Sequence, residues 1–496
     1  MKKLLILLSN LIVACSGGGN DFNQTEESIK NLSDNSSEND FNNQSTFDNV
    51  KRVVHSKVQS SIISKNADEV KTILNEVPHQ TVYYERNNIQ RLIIGPNDYL
   101  DIYGDRPLKL FKKIESEWVF VSEFNEIIDA GPRDYDFFKN GSIAFANCGL
   151  ESPKREWPLG YLWKVSKTES DDLEFSQISG YRAFWHSIAL GDLNRDKIED
   201  VVSVHMRTTD GDYFPFHIFL GNQNGSFSKI SSQDFFEKDQ GIFFPSAGSI
   251  NISDLDNDGN KDIILGAYGN HVYGSQEHHG ELFGQKYGFQ VYSDTNSNNR
   301  YEIIPYNIPF GSFEYLNMGS TKIEIEDLNG DKKDDLVVFF EGSIDSNNSS
   351  CMPSCDNYID VFINNGDRSF SQSRIFAKNQ TEISAREFEL IDVDNDGDKD
   401  IALKSWQFSD EIILNQDMII SRDKNSNDGV IDFSNLIYIN NNGLFNKLNR
   451  NLSFKVEELN RSYFIPIYSN GQFRYLRVST PWDKDYIIIS EYSFNL

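Results

Sequence analysis

Short apolar runs, each closed by a polar or glycine-bearing turn, recur along the chain from about residue 90 to its end. Runs such as Ile263-Ile264-Leu265 are too short for helices and rich in β-branched residues, so they read as strands. Four units share one order: an aliphatic approach, a ladder of Asp and Asn, and an immediate aliphatic run. The first Asp of the ladder recurs at 192, 254, 327 and 392, at spacings of 62, 73 and 65, which marks a tandem architecture. After the ladder each unit continues with a strand, a variable insertion, another strand, an Asn/Gly hairpin and a Phe-bearing strand. The hairpins are placed at 220–227, 363–370 and 439–445, centred on Asn224-Gly225, Asn365-Gly366 and Asn442-Gly443, because those residue types accept the positive φ of a tight turn.

Four strands in a unit of about 65 residues make a propeller blade, and the 446 residues from 51 to 496 hold roughly seven of them. The expected fold is therefore all-β: a β-propeller of about seven four-stranded blades. Residues 136–145 resemble a blade whose carboxylates were lost, while 90–125 and 463–496 supply the first and last. One stretch departs from this pattern. Val54, Val58, Ile62, Val70, Ile73 and Val77 recur at helical spacing, which predicts a helical segment over 51–85 lying on a propeller of residues 86–496.

Composition narrows the function. With 47 Lys and Arg against 75 Asp and Glu the formal charge is −28, a surface that repels phosphate and argues against nucleic-acid partners. The 36 Phe, 22 Tyr and 6 Trp mark a folded chain. Its one long apolar run is N-terminal: Lys2 and Lys3 precede Leu4 to Ala14, as in a signal peptide of residues 1–14. That run ends Ile12-Val13-Ala14-Cys15, which resembles the bacterial lipobox and implies lipidation of Cys15. Ser16 stands where an Asp would favour inner-membrane retention, so the expected location is the outer membrane, on its cell-surface or periplasmic side. Residues 15–50 are Ser, Asn, Asp, Glu and Gly with few aliphatics and read as the lipidated cysteine and a flexible tether.

The ladders carry the chemistry. Each is a nine-residue loop with oxygen donors at positions 1, 3, 5 and 9, glycine favoured at 6 and a residue at 7 that can offer its carbonyl. The candidate metal residues are Asp192, Asn194, Asp196 and Asp200; Asp254, Asp256, Asp258, Asn260 and Asp262; Asp327, Asn329, Asp331, Lys333 and Asp335; and Asp392, Asp394, Asp396, Asp398 and Asp400. Hard oxygen ligands around one point suit Ca²⁺, up to four structural ions, better than the small octahedral shell of Mg²⁺. An EF-hand would need a Glu at position 12, where Ser203, Leu265, Val338 and Leu403 stand. Gly259 and Gly397 complete the second and fourth ladders; Lys197 and Lys332 replace that glycine in the first and third, which are expected to bind more weakly.

These segments resemble FG-GAP/VCBS repeats, the blades of the integrin α-subunit propeller and of many bacterial surface proteins, over about residues 183–450. Leu265-Gly266-Ala267-Tyr268-Gly269 echoes the family's Gly-Ala-Pro step with Tyr for Pro. The resemblance implies the propeller and calcium but leaves function open, since such repeats occur in adhesins, lectin-like modules, scaffolds and ancillary domains of hydrolases and lyases.

Insertions gathered on one face of a rigid scaffold are the usual place for recognition. The 268–288 loop offers Tyr268, His271, Tyr273, Glu277, His278 and His279 as a possible ligand loop, and Cys351 and Cys355 are a possible short disulfide in an exported protein. No Gly-x-Ser-x-Gly, His-Glu-x-x-His, phosphate loop or Cys-x-x-Cys is present. The reading is thus a lipid-anchored adhesion or binding module for a glycan or protein. The alternatives are a polysaccharide lyase or hydrolase working in the propeller channel, and a scaffold for an envelope complex.

Overall fold

The computed structural model describes residues 50–59 and, from 81 onward, the strands and their tighter connections; longer segments, among them 96–107, 148–159, 209–215, 235–246, 268–288, 307–318 and 407–418, lie outside the described residues. Among the described residues the strands form seven four-stranded antiparallel blades. Blades 1 to 5 span 81–124, 132–177, 183–229, 247–304 and 319–379. Blade 6 uses Glu387–Ile391, Asp400–Trp406, Ile437–Asn441 and Leu444–Lys447. The first strands of neighbouring blades touch one another and so ring the central axis.

The apolar runs are continuous, not alternating, because each blade is covered on both faces. In Asp262–Ala267, Ile263 and Leu265 pack with Val202, Val204 and Phe216 of blade 3, while Ile264 faces Leu336, Val338 and Phe340 of blade 5. In Asp335–Glu341 the intervening Val337 and Phe339 face Ile401 and Leu403 of blade 6. Every one of these side chains is fully buried or nearly so, and each contributes about 1.5–3 kcal/mol of transfer free energy. The core is thus a ring of inter-blade layers with no single centre.

Closure corrects the expected N-terminal helix. Val50–Gln59 is a strand, pairing antiparallel with Tyr486–Phe494 from Val50↔Phe494 to Gln59↔Tyr486. Blade 7 is built from both ends of the chain: Ser462–Ser469, Gln472–Ser479 and Tyr486–Phe494, with Val50–Gln59 as its outermost strand. Thr81–Arg86 is the first strand of blade 1, so the propeller begins before residue 86. The spacing of four between Val54 and Val58 is a multiple of two as well as close to 3.6, and pairing with a strand more than 400 positions away decided between the two periods; Ile62, Val70, Ile73 and Val77 lie outside the described residues.

A small extra sheet, Ile419–Arg422, Gly429–Asp432 and Ser453–Val456, accompanies blade 6. The Phe433 that follows its middle strand lies 5.1 to 5.3 Å, ring centre to ring centre, from Tyr475, Tyr492 and Phe494 of blade 7. Blades 6 and 7 also join directly, through Ser405↔Phe464 and Trp406↔Tyr463.

The hairpin of blade 6 turns on Asn442 and Gly443, both at positive φ, as expected. That of blade 5 is displaced. Gly366 pairs with Ser369, so the turn is centred on Asp367 and Arg368, at φ 49° and 60°, two residues beyond the Asn-Gly pair. A bulge between Asn364 and Gly366 takes up the glycine's positive φ.

Candidate functional site

All four ladders fall between the first and second strands of blades 3 to 6, on one face of the ring, and they fold alike. The backbone N–H at position 6 donates to the first Asp in every case: Lys197 to Asp192 (2.9 Å), Gly259 to Asp254 (3.1 Å), Lys332 to Asp327 (2.8 Å) and Gly397 to Asp392 (3.2 Å). The N–H at position 7 donates to the Asp at 5 in all four. Positions 4 and 6 are both left-handed, which is why glycine suits position 6. Lys197 and Lys332 hold φ of 70° and 68° there, at a cost of about 1 kcal/mol each.

The residues at position 9 do something the spacing did not disclose. Asp200, Asp262, Asp335 and Asp400 are buried, and each accepts the N–H of position 2, from Leu193, Leu255, Leu328 and Val393 at 2.7 to 2.9 Å. The other carboxylate oxygen reaches the third strand of the same blade: Gly221 N–H, Ser293 O–H, Asn364 N–H and Asn440 N–H respectively. These four carboxylates therefore staple the loop to the blade. Burial pushes Asp200 and Asp335 up to about 6, and Asp262 and Asp400 up to about 7. A Cβ on Gly221 would stand 2.5 Å from the Glu199 carbonyl oxygen, so only glycine fits that close approach.

Two hairpin asparagines, seen in the sequence only as turn formers, also tie blades together. Asn364 donates its amide to the Leu255 carbonyl of blade 4 (2.7 Å), and Asn440 to the Leu328 carbonyl of blade 5 (2.9 Å).

Carboxylates of the second and fourth ladders could hold a metal. Oxygens of Asp254, Asp256 and Asp258 lie within 4.8 Å of one another, as do those of Asp392, Asp394 and Asp400. Buried oxygens of Asp192, Asp254 and Asp398 have no hydrogen-bond partner, a cost that a cation would remove. Burial and the neighbouring Asp396 push Asp398 up to about 6, and burial with Asp258 raises Asp254. The second and fourth ladders thus fit a hard divalent ion, although Arg368 of blade 5 already pairs with Asp256 at 2.9 Å. The third ladder fits less well: the Lys333 ammonium takes Asp331 at 2.8 Å and holds that carboxyl below its usual range. In the first, the Asn194 amide donates to Asp196 at 3.1 Å.

A second cluster, invisible as a linear motif, fills the axial channel. Lys322 of blade 5 pairs with Glu324 (2.8 Å) and across the axis with Asp134 of blade 2 (3.6 Å). Lys404 of blade 6 pairs with Glu389 (2.6 Å) and Glu387 (3.3 Å), and its ammonium lies 5.8 Å from the Tyr135 ring of blade 2. Burial opposes charge on both lysines, but Asp134 and Glu324 beside Lys322, and Glu389 beside Lys404, outweigh it and hold them well above the ordinary range. Burial and the like charge of Glu389 raise Glu324. The three glutamates keep a quarter to a third of their side-chain surface, so they line a hollow.

Cys15, the ligand-loop residues Tyr268, His271, Tyr273, Glu277, His278 and His279, and Cys355 lie outside the described residues. Cys351 ends a short strand, Ser350–Cys351, paired with Ile344–Asp345; its side chain is outside them as well.

Blades ringing an axis, with Asp-ladder loops on one face, define a repeat propeller. The family model of the FG-GAP-like repeat matches residues 192–265 and 327–403, each match running from the first Asp of one ladder through the next ladder and into the strand after it. The chain is a seven-bladed β-propeller that carries FG-GAP-like repeats over those residues, a fold suited to binding modules in general. No curated protein matches it. A crystal structure of a protein from Lactobacillus plantarum aligns with a TM-score of 0.39 at 9% identity, over 74% of this chain and 85% of the other, a likeness too slight to bear on either protein's role.

Proposed function

We propose that this protein is a calcium-stabilised, lipid-anchored propeller at the bacterial outer membrane that binds a glycan or protein ligand. The observation that carries the calcium reading is the convergence of Asp254, Asp256 and Asp258, with a buried Asp254 oxygen left without a partner. Asp254, Asp256 and Asp258 would hold one ion, and Asp392, Asp394 and Asp400 another; Ca²⁺ would neutralise carboxylates whose mutual repulsion opposes folding. The anchor rests on Ile12-Val13-Ala14-Cys15 at the end of the apolar run. Among the described residues no helix is long and apolar enough to cross a membrane. Binding is favoured over channel catalysis because the channel carboxylates are paired with this chain's own lysines.

Adding 10 mM Ca²⁺ to the chelated protein is expected to stabilise it by about 1.5–2.5 kcal/mol per occupied ladder, read as a rise in Tm. Asp258→Ala should remove one ladder's share, and a Tm indifferent to Ca²⁺ would defeat the calcium reading. Ligand class is tested with the Cys15→Ser chain, which stays soluble if that thiol is the point of lipidation. It is incubated in calcium with immobilised envelope and environmental polysaccharides. Retention without new chain ends supports a binding module, new ends would establish an enzyme, and neither would point to a protein ligand.

A further inference from the structure

The ladder face is not uniformly acidic. In blade 2 the connection between the first and second strands shrinks to residues 138–142 and carries no carboxylate, against 192–199 in blade 3. Beside this short loop a cleft of about 390 Å³ opens between blades 2 and 3, bounded on the far side by the 222–226 hairpin. That volume falls within the range of small-molecule sites. Phe138 and Phe227, with ring centres 6.0 Å apart, lie together in it, and the Lys164 ammonium stands 4.9 and 5.5 Å from the two rings.

Lys164 makes no hydrogen bond or ion pair among the described residues, so its three N–H donors are available in the cleft. Asn140 uses its oxygen to accept the Ser142 N–H, which leaves its amide donors for a ligand, and the Gln223 amide on the opposite lip is exposed. Glu199 is the cleft's one carboxylate, and it is engaged by the Lys139 N–H at 2.9 Å.

An unpaired ammonium, amide donors on both lips and aromatic rings match a sugar that carries a carboxylate: the ammonium takes the charge, the amides take hydroxyls, and the apolar ring face meets phenylalanine. We infer that the seam between blades 2 and 3 is a binding site for uronate-bearing oligosaccharides, with Lys164 as the charge-recognising residue. This deepens the binding-module reading and rests on it.

The test is calorimetric titration of the propeller, at low salt and in calcium, with a hyaluronan tetrasaccharide and its carboxyl-reduced counterpart. The acidic sugar is expected to bind, the reduced one to bind about tenfold more weakly, and Lys164→Met to weaken the acidic sugar about tenfold with Tm unchanged, since the methionine stem still covers the two rings. Gln223→Ala, at an exposed position with no fold contact to lose, should weaken both sugars. Equal affinity for the two sugars, or unaltered binding of the acidic one in Lys164→Met and Gln223→Ala, would overturn the seam and leave the module reading standing. Failure of the acidic sugar to bind overturns the seam too; a polysaccharide panel that is also bare removes the glycan ligand and leaves a protein ligand for the module.

Discussion

Replacing Asp335 by alanine is expected to destabilise the propeller by about 3–5 kcal/mol, and to do so equally in calcium and in chelator. Its carboxylate is fully buried and accepts the Leu328 N–H at 2.9 Å and the Asn364 N–H at 2.7 Å. Alanine would strand both donors away from water and detach the ladder from the third strand of blade 5. Asp331, four residues earlier in the same ladder, is largely exposed; its removal should cost about 1 kcal/mol or less without metal. Urea midpoints of the two variants, each with and without Ca²⁺, separate the roles. If Asp335→Ala lost stability only when calcium is present, Asp335 would act as a ligand and its staple would be wrong. The loss is a large share of the 5–15 kcal/mol that holds a typical domain together.

The second large effect is expected at Lys404→Met. The lysine is almost wholly buried between Glu387 and Glu389, and without it two carboxylates face each other in an enclosed channel, with Glu324 adding a third charge. Breaking a buried pair on one side costs about 3–5 kcal/mol. Since Glu387 and Glu389 keep 34% and 33% of their side-chain surface, about 2–4 kcal/mol is the better expectation. Changing Glu387 and Glu389 to glutamine in the same chain should restore most of it, because the uncompensated charge, and not the lost contact, is what destabilises. A triple variant no more stable than Lys404→Met would show that the lysine acts through packing over Tyr135.

Much of this molecule is legible in its sequence. The ladder spacing gave the blade period, and division of the chain by that period gave the blade number. The runs Ile263-Ile264-Leu265 and Leu336-Val337-Val338 are unbroken by polar residues because both faces of a blade are covered, and a pattern made by local burial can be read locally. The ladders were aligned correctly because their hydrogen bonds, from position 6 to 1 and from 7 to 5, span only a few residues.

What escaped was whatever depends on partners distant in the chain. The strand at Val50–Gln59 looked helical because only its pairing with Tyr486–Phe494 distinguishes the two periods. The blade 5 turn moved to Asp367-Arg368 because register was set by the whole length of Asp356–Gly366 against Ser369–Asn379, outweighing one Asn-Gly pair. At position 9 the spacing shows a ligand but not the staple, since the staple rests on N–H groups 20 to 40 residues further on, at Gly221, Asn364 and Asn440. The channel cluster takes Asp134, Lys322 and Lys404 from blades 2, 5 and 6, and the seam takes Phe138, Lys164 and Phe227 from two blades. The sequence by itself determined the blade, its repeat and its ladder, because strand burial, turn chemistry and ladder hydrogen bonds act over a few residues. Ring closure, the axial charges and the cleft were decided only by the tertiary structure, because they exist only where blades far apart in the chain are brought together.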